Sequence, residues 1–320
     1  MNSLRTVFAG TPEFAVPALQ ALLNSDHPPL AVLCQPDRPA GRGRKVQFGP
    51  VKACAMAAGV DVLQPASLKS EPARAPLVAL KPDLIVTAAY GLLLPQPVLD
   101  LPRFGCWNLH ASLLPRWRGA SPINQAILAG DVESGMTLMQ MDRGLDTGPI
   151  LLQSTTVIDP HESAGRLHDR LSSMAADLLI DALIQLTEDR LPMPQPQDGS
   201  QATHAPLIQR EDARLDWHRP AHELARQVRA YNPWPVAFAE INGQTLRVFS
   251  ARALDNENSD ELDRLRSIDL KPGQLIRGSG QDDAIVVACG QGALALDEIQ
   301  APGRKRVSAR DWLNGHPDWN

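Results

Sequence analysis

DLIVTAAYG, running from Asp83 to Gly91, is an apolar run closed by a glycine. A strand with one wet face alternates apolar and polar positions. A run without that alternation suits a strand covered on both faces, as in a parallel sheet flanked by helices. The neighbouring sequence repeats the theme in both directions. Upstream, RTVFAG (Arg5–Gly10) and LAVLCQ (Leu30–Gln35) read as strands, and PEFAVPALQALLN (Pro12–Asn24) and VKACAMAAG (Val51–Gly59) as helices. Thr11 is the expected N-cap of the first helix, and Gly59 stops the second. Downstream, GCWNLH (Gly105–His110), MTLMQMD (Met136–Asp142) and ILLQSTTVI (Ile150–Ile158) read as strands. Helices are expected at PINQAILAG (Pro122–Gly130) and, long and amphipathic, over residues 162–186. This alternation predicts a mostly parallel, doubly wound α/β sheet.

The pattern changes at LPMPQPQDGSQATHAPL (Leu191–Leu207), whose four prolines and few apolar side chains predict an extended linker. Beyond it come one helix, AHELARQVRAY (Ala221–Tyr231), and short strands at AFAEINGQTLRVFSA, GQLIRG and AIVVACGQGALALDEIQ. Asn242-Gly243 is a two-residue hairpin signal. The expectation is a catalytic domain over 1–190, a linker over 191–207 and a small β-barrel domain over 208–320.

Composition narrows the classes. With 320 residues, 43% hydrophobic and 21% charged, the chain can bury a core and divide into two domains. No apolar run approaches the roughly 18–20 residues that span a bilayer; ADLLIDALIQL is broken by Asp181. LRTVFAG at the start reads as a strand rather than a signal peptide, so a cytoplasmic protein with no membrane partner is expected. Cys34, Cys54, Cys106 and Cys289 show no paired spacing, which argues against a zinc site or disulfide framework. His218 and His222 are four apart but have no obvious third ligand. Net charge is −5, so any contact with nucleic acid must use local basic patches.

Four stretches carry possible chemistry. FAGTPEF places one glycine at the first strand–helix turn and is neither G-x-G-x-x-G nor a Walker loop. In CWNLH, Asn108 and His110 are two apart on a strand and share a face. They sit at the carboxyl end of a parallel strand, where open α/β sheets bind ligands; two polar residues bonded to a loop would look the same. MQMDRGLDTGPI offers two acids, Asp142 and Asp146, in one tight loop, and spacing alone does not choose between them. QPDRPAGRGRKVQFGP sets Arg38, Arg42, Arg44 and Lys45 against Asp37, a charged surface loop suited to phosphate. Near the end, APGRKRVSARDWL clusters Arg304, Lys305, Arg306 and Arg310, although 15 basic and 17 acidic side chains from Arg210 onward leave that region at about −2.

Taken in order, FAGTPEFAVPAL, QPDRPAGRGRK, AAYGLLLP, NLHASLLPRWRGASPI, MQMDRGLDTG and YNPWP resemble the methionyl-tRNA formyltransferase family, within the wider folate-dependent formyltransferases, over nearly the whole chain. The resemblance implies a Rossmann-like formyltransferase domain and a smaller C-terminal OB-like β-barrel that binds tRNA. It implies formyl transfer from 10-formyltetrahydrofolate to the methionine amine of initiator methionyl-tRNA, with no metal, by a monomer. Asn108, His110 and Asp146 fall on the catalytic positions, which selects Asp146 over Asp142. Tyr90, Gly91, Leu92, Leu93, Leu94 and Pro95, with Ser112, Leu113, Leu114 and Pro115, match the folate-contacting segments. Arg42 and its neighbours match the loop at the tRNA acceptor end. Two features depart from the family: the C-terminal region is slightly acidic, and LDNENSDELDRLRSIDL is longer than the usual loop. A related enzyme with a small-molecule acceptor, or an RNA-binding protein on an inactive scaffold, are the competing readings. The basic loop and barrel speak against the first, the complete Asn–His–Asp set against the second.

Overall fold

Thr6–Gly10 form β1, a strand buried along its whole length. The computed structural model describes residues 3–37, 39–40, 45–254, 271–276, 285–316 and 319. After β1 come a 3-10 turn (Glu13–Ala15), α1 (Val16–Leu23), β2 (Pro29–Leu33), and a short pair, β3 (Pro39–Ala40) with β4 (Lys45–Val46). The chain continues through α2 (Pro50–Ala57), β5 (Asp61–Leu63), α3 (Glu71–Ala79), β6 (Leu84–Ala88), α4 (Gln96–Leu99) and β7 (Cys106–His110). Then follow β8 (Arg118–Gly119), α5 (Pro122–Ala129), β9 (Glu133–Gln140), β10 (Ile150–Val157), α6 (Ala164–Thr187) and β11 (His204–Ala205).

Seven of these strands make one sheet in the order β10-β9-β7-β6-β1-β2-β5. The pairs from β5 to β7 are parallel; β9 and β10 are added antiparallel at one edge. The expected mostly parallel sheet is therefore present. β6, the strand within DLIVTAAYG, is buried at every position. Val7, Ala9 and Ile85 join one core cluster with Leu33, Leu77, Val98 and Leu99. By strand alternation Phe8, Leu84 and Val86 face the other way, and they too are fully buried. Two covered faces explain why the run does not alternate.

β2 lies on one side of β1 and β6 on the other, so the chain reverses direction across the sheet at β1. Open α/β sheets bind ligands in the crevice at such a point. Thr11 sits here and does not cap the first helix as expected: α1 has Ala15 at its N-cap and the 3-10 turn before it has Pro12, neither with a side-chain bond. The Thr11 hydroxyl donates instead to Tyr90 O at 3.0 Å, and Gln35 Nε2 donates to the same carbonyl at 3.1 Å. The ends of β1, β2 and β6 thus meet at one oxygen.

The chain divides into two compact units. One comprises the chain up to Pro122, Glu133–Val157 and His168–Pro206; the other comprises Ile123–Val132, Ile158–Leu167 and everything from Leu207. The proline-rich segment predicted as a linker is extended, but up to Pro206 it clusters with the first unit. Gln195 and Ile150 exchange two backbone bonds, each 2.7 Å, and β11 pairs with β8.

The second unit carries α7 (Ala221–Ala230), β12 (Ala237–Ile241), β13 (Gln244–Leu254), β14 (Leu275–Ile276), β15 (Ile285–Ala288), β16 (Ala293–Gln300), β17 (Val307–Ser308) and α8 (Ala309–Gly315). Its antiparallel sheet has the order β12-β13-β16-β15-β14, with β17 on β16. Register shifts near Ser250 bend β13, and the sheet curls into a half-barrel. Asn242 and Gly243 both have positive φ, 49° and 73°, as a type I′ hairpin requires. Leu224 and Val228 of α7 pack with Leu246, Val248, Leu294, Leu296, Ile299 and Trp312. His218 precedes α7 and lies 3.0 Å from Asp216, so it does not share a helix with His222. The acid-rich stretch over residues 255–270 lies outside the described residues.

Candidate active site

Asn108 and His110 project from the carboxyl end of β7, on the face opposite the buried Trp107 and Leu109. Thr87 of β6 is the register partner of Asn108. Its hydroxyl proton has two acceptors in reach, Asn108 Oδ1 at 2.8 Å and Trp107 O at 3.0 Å. With Oδ1 on that side, Nδ2 turns outward and donates to no protein acceptor among the described residues. His110 is 6% exposed. Its Nε2 donates to Trp117 O at 2.9 Å. A carbonyl only accepts, so this bond sets the tautomer and leaves Nδ1 for other work. Nδ1 lies 3.7 Å from Asp146 Oδ2.

The two acids of MQMDRGLDTGPI have separate jobs. Asp142 Oδ1 accepts from Gly144 N at 2.8 Å and from Thr147 Oγ1 at 2.7 Å, so it closes its own turn. Asp146 takes a left-handed backbone, φ 54°, and its Oδ2 also accepts from Gly119 N at 2.9 Å. Gly148 lets the loop fold back, because a Cβ there would run into Gln140 O. Gly119 is barred from a side chain in the same way by Ala205 O.

The segments matched to folate contacts line the same end of the sheet with different exposures. Gly91 and Leu93 are exposed, whereas Tyr90 and Leu94 belong to the core cluster beneath. The Tyr90 hydroxyl is buried without a hydrogen-bond partner among the described residues, and burial, with Cys34 nearby, pushes its pKa up. Ser112 is buried; its hydroxyl donates to Arg116 O at 2.6 Å and so is spent on its own turn. Leu114 is anchored through its backbone by Thr137 and Gln153. Leu113 and Pro115 keep partial exposure. Leu92 and Pro95 do as well.

Of the basic loop, Arg38, Arg42 and Arg44 lie outside the described residues, and Lys45 is placed only as part of β4. The root of the loop is well tied. Lys52 Nζ meets Asp37 Oδ2 at 2.5 Å and donates to Gln64 Oε1 at 2.7 Å. The Lys52 bond, then that of Gln64, holds the Asp37 carboxyl below the usual range. In the second unit Arg304, Lys305 and Arg306 are exposed. Arg306 pairs with Glu298 and lies over the Phe249 ring at 4.5 Å.

Two groups escaped the sequence reading: Thr87, and the Gln197 and Thr203 pair that contacts the Asp146 and Trp117 backbones. A threonine inside an otherwise apolar strand was the available signal for Thr87. Nothing local marked the other two, whose partners are 49 to 86 residues away.

The formyl transferase family model matches residues 4–183, and that of the formyl transferase C-terminal domain matches 207–317, which puts the chain among the formyl transferases. Within them it belongs to the methionyl-tRNA formyltransferase family. It is 53% identical over 313 residues to a methionyl-tRNA formyltransferase of Methylococcus capsulatus, covering 98% of this chain and 97% of that one. Its fold is similar to that of WlaRD, a sugar 3N-formyl transferase crystallised with dTDP and 5-N-formyl-THF: TM-score 0.64, 16% identity, 95% of this chain and 100% of that one. It is also similar to HypX from Aquifex aeolicus in complex with tetrahydrofolic acid, with TM-score 0.61, 17% identity and 98% of this chain covered. The chain spans about half of HypX, 47% of its length. At such identities the likeness is one of fold.

Proposed function

We infer that formyl transfer in this protein runs through Asn108, His110 and Asp146. The chain moves the formyl group of 10-formyltetrahydrofolate to the methionine amine of initiator methionyl-tRNA, for translation initiation. The observation that carries the assignment is the unengaged Asn108 Nδ2 on the same strand face as His110, whose Nδ1 looks toward Asp146. A free α-amino group titrates near about 7.7–8.0, so much of it is neutral and nucleophilic at cell pH. Its nitrogen bonds to the formyl carbon, and the bond from that carbon to N10 breaks. Charge builds on the formyl oxygen meanwhile, and Asn108 Nδ2 is the donor turned to receive it. The amine must shed a proton and the leaving nitrogen must gain one. His110 Nδ1 and the Asp146 carboxylate form the acceptor pair for that proton. The Nε2 bond to Trp117 holds the ring still during the exchange.

Asn108→Ala is expected to lower turnover on the order of 10²–10³, the usual cost of removing one such donor. His110→Ala and Asp146→Asn are expected to fall by orders of magnitude, and all three variants to keep the native fold. Formylation of methionyl-tRNA under single-turnover conditions measures this. Near-normal turnover in Asp146→Asn overturns its role.

In this reading Leu113, Pro115 and the Leu92–Pro95 loop wall the folate ring, and the basic loop with Arg304 and Lys305 meets tRNA phosphates. The second unit serves as the OB-like tRNA-binding domain. The protein works as a cytoplasmic monomer. Arg42→Ala should raise KM for tRNA and leave KM for the folate donor alone; the reverse pattern rejects the assignment of that loop.

A further inference from the structure

We propose that the segment from Gln195 to Ala205 is a strap that holds the catalytic pair in register, with Gln197 as its positioning residue. This rests on the reading of Asp146 and His110 given above. Gln197 is half-buried, and every polar position of its amide is committed. Nε2 donates to Asp146 O at 2.9 Å and to Gly148 O at 2.7 Å. Oε1 accepts from Arg118 Nε at 3.0 Å and from Arg118 Nη2 at 2.7 Å. Gly119, the next residue, donates its N–H to Asp146 Oδ2. The backbone and the carboxylate of Asp146 are therefore both tied to β8, one through Gln197 and one directly. A left-handed backbone at a non-glycine residue persists only when its surroundings enforce it, and these bonds are that enforcement.

The strap also reaches the imidazole. Trp117 N donates to Thr203 Oγ1 at 2.9 Å, and Arg118 N donates to Thr203 O at 2.9 Å. Trp117 O is the acceptor that fixes His110 Nε2. One stretch of chain thus anchors the Asp146 loop at Gln197 and the His110 acceptor at Thr203. A passive tether between domains needs neither contact. Displacing a reacting group by about 1 Å costs up to about 10²-fold in rate, so the strap's effect belongs on turnover rather than on substrate affinity.

The test is a mutant cycle read by steady-state kinetics on the full chain. Gln197→Met keeps side-chain volume and loses all four bonds. Its kcat is expected to fall tenfold or more, with KM for tRNA and for the folate donor within twofold of wild type. Gln197→Glu keeps the Arg118 acceptor but loses the donors to Asp146 O and Gly148 O, and it is expected to lose as much. In an Asp146→Ala background, Gln197→Met is expected to change kcat by less than twofold, because the group it positions is gone. Wild-type kcat in Gln197→Met or Gln197→Glu, beside a crippled Asp146→Ala, overturns the strap and leaves the catalytic assignment intact. A full tenfold loss persisting in the Asp146→Ala background also overturns it, since a merely structural residue behaves so. Wild-type turnover in Asp146→Ala itself removes the catalytic assignment and the strap with it.

Discussion

At the scale of single residues, the site is made by hydrogen bonds that remove choices. Thr87 meets the Oδ1 end of the Asn108 amide, so Nδ2 turns outward. Thr87→Val preserves shape and deletes that bond. A net hydrogen bond contributes about 0.5–1.5 kcal/mol, so kcat should fall about threefold to tenfold while both KM values hold; initial-rate kinetics decide it. Burial has an opposite chemical effect at Cys106, whose thiol is pushed up to about 12 by desolvation and, secondarily, by Asp100. It stays protonated and shielded at neutral pH. A disulfide reagent should find Cys54 readily, and Cys34, Cys106 and Cys289 only after unfolding, as counted by thiol titration. Asp37 gives a pH signature with a definite sign. Its carboxyl is depressed by Lys52 and then Gln64, so its contribution is present above the ordinary carboxylate range and disappears as pH falls through its lowered value. An NMR titration should place its midpoint below about 3.9 and move it upward in Lys52→Met. Some of this was legible beforehand. Strand periodicity alone put Asn108 and His110 on one face. It did not separate Asp146 from Asp142, because the distinction is made by Gly119, distant in sequence.

At the scale of elements, apolar runs identified β1, β2, β6 and β7; β1 and β6 are buried at every position, and β2 at all but Leu30. They identified β9 and β10 as strands joined by a tight loop, compatible with a hairpin, but carried no sign that β9 runs antiparallel to β7, since that direction is a property of distant partners. Thr11 was misread as a cap for a related reason: its hydroxyl found a carbonyl 79 residues away rather than a helix N–H. The long helix α6 was legible in full from its amphipathic pattern. Leu179 on its inner face is fully buried, while Ile184 is 47% exposed. Leu179→Ala should cost about 2–5 kcal/mol in urea unfolding, and Ile184→Ala within about 0.5 kcal/mol.

At the scale of the whole molecule, the protein handles a polyanionic substrate with a net charge of −5. Attraction must therefore come from clusters, and not all of their members are equally available. Arg306 is already paired with Glu298 and stacked on Phe249, so the exposed Lys305 has more to offer a phosphate. Raising salt from about 50 to 200 mM should weaken apparent tRNA affinity steeply, while KM for the folate donor barely moves.

The family matches stop at residue 183 and resume at 207, so the strap falls in the gap between them. That has a practical consequence for anyone dissecting the molecule. A fragment ending at residue 190 would retain Asn108, His110 and Asp146 and yet be missing the grip on two of them. A cut at Pro206 spares the strap but does not free the second unit whole, because Ile123–Val132 and Ile158–Leu167 also belong to that unit.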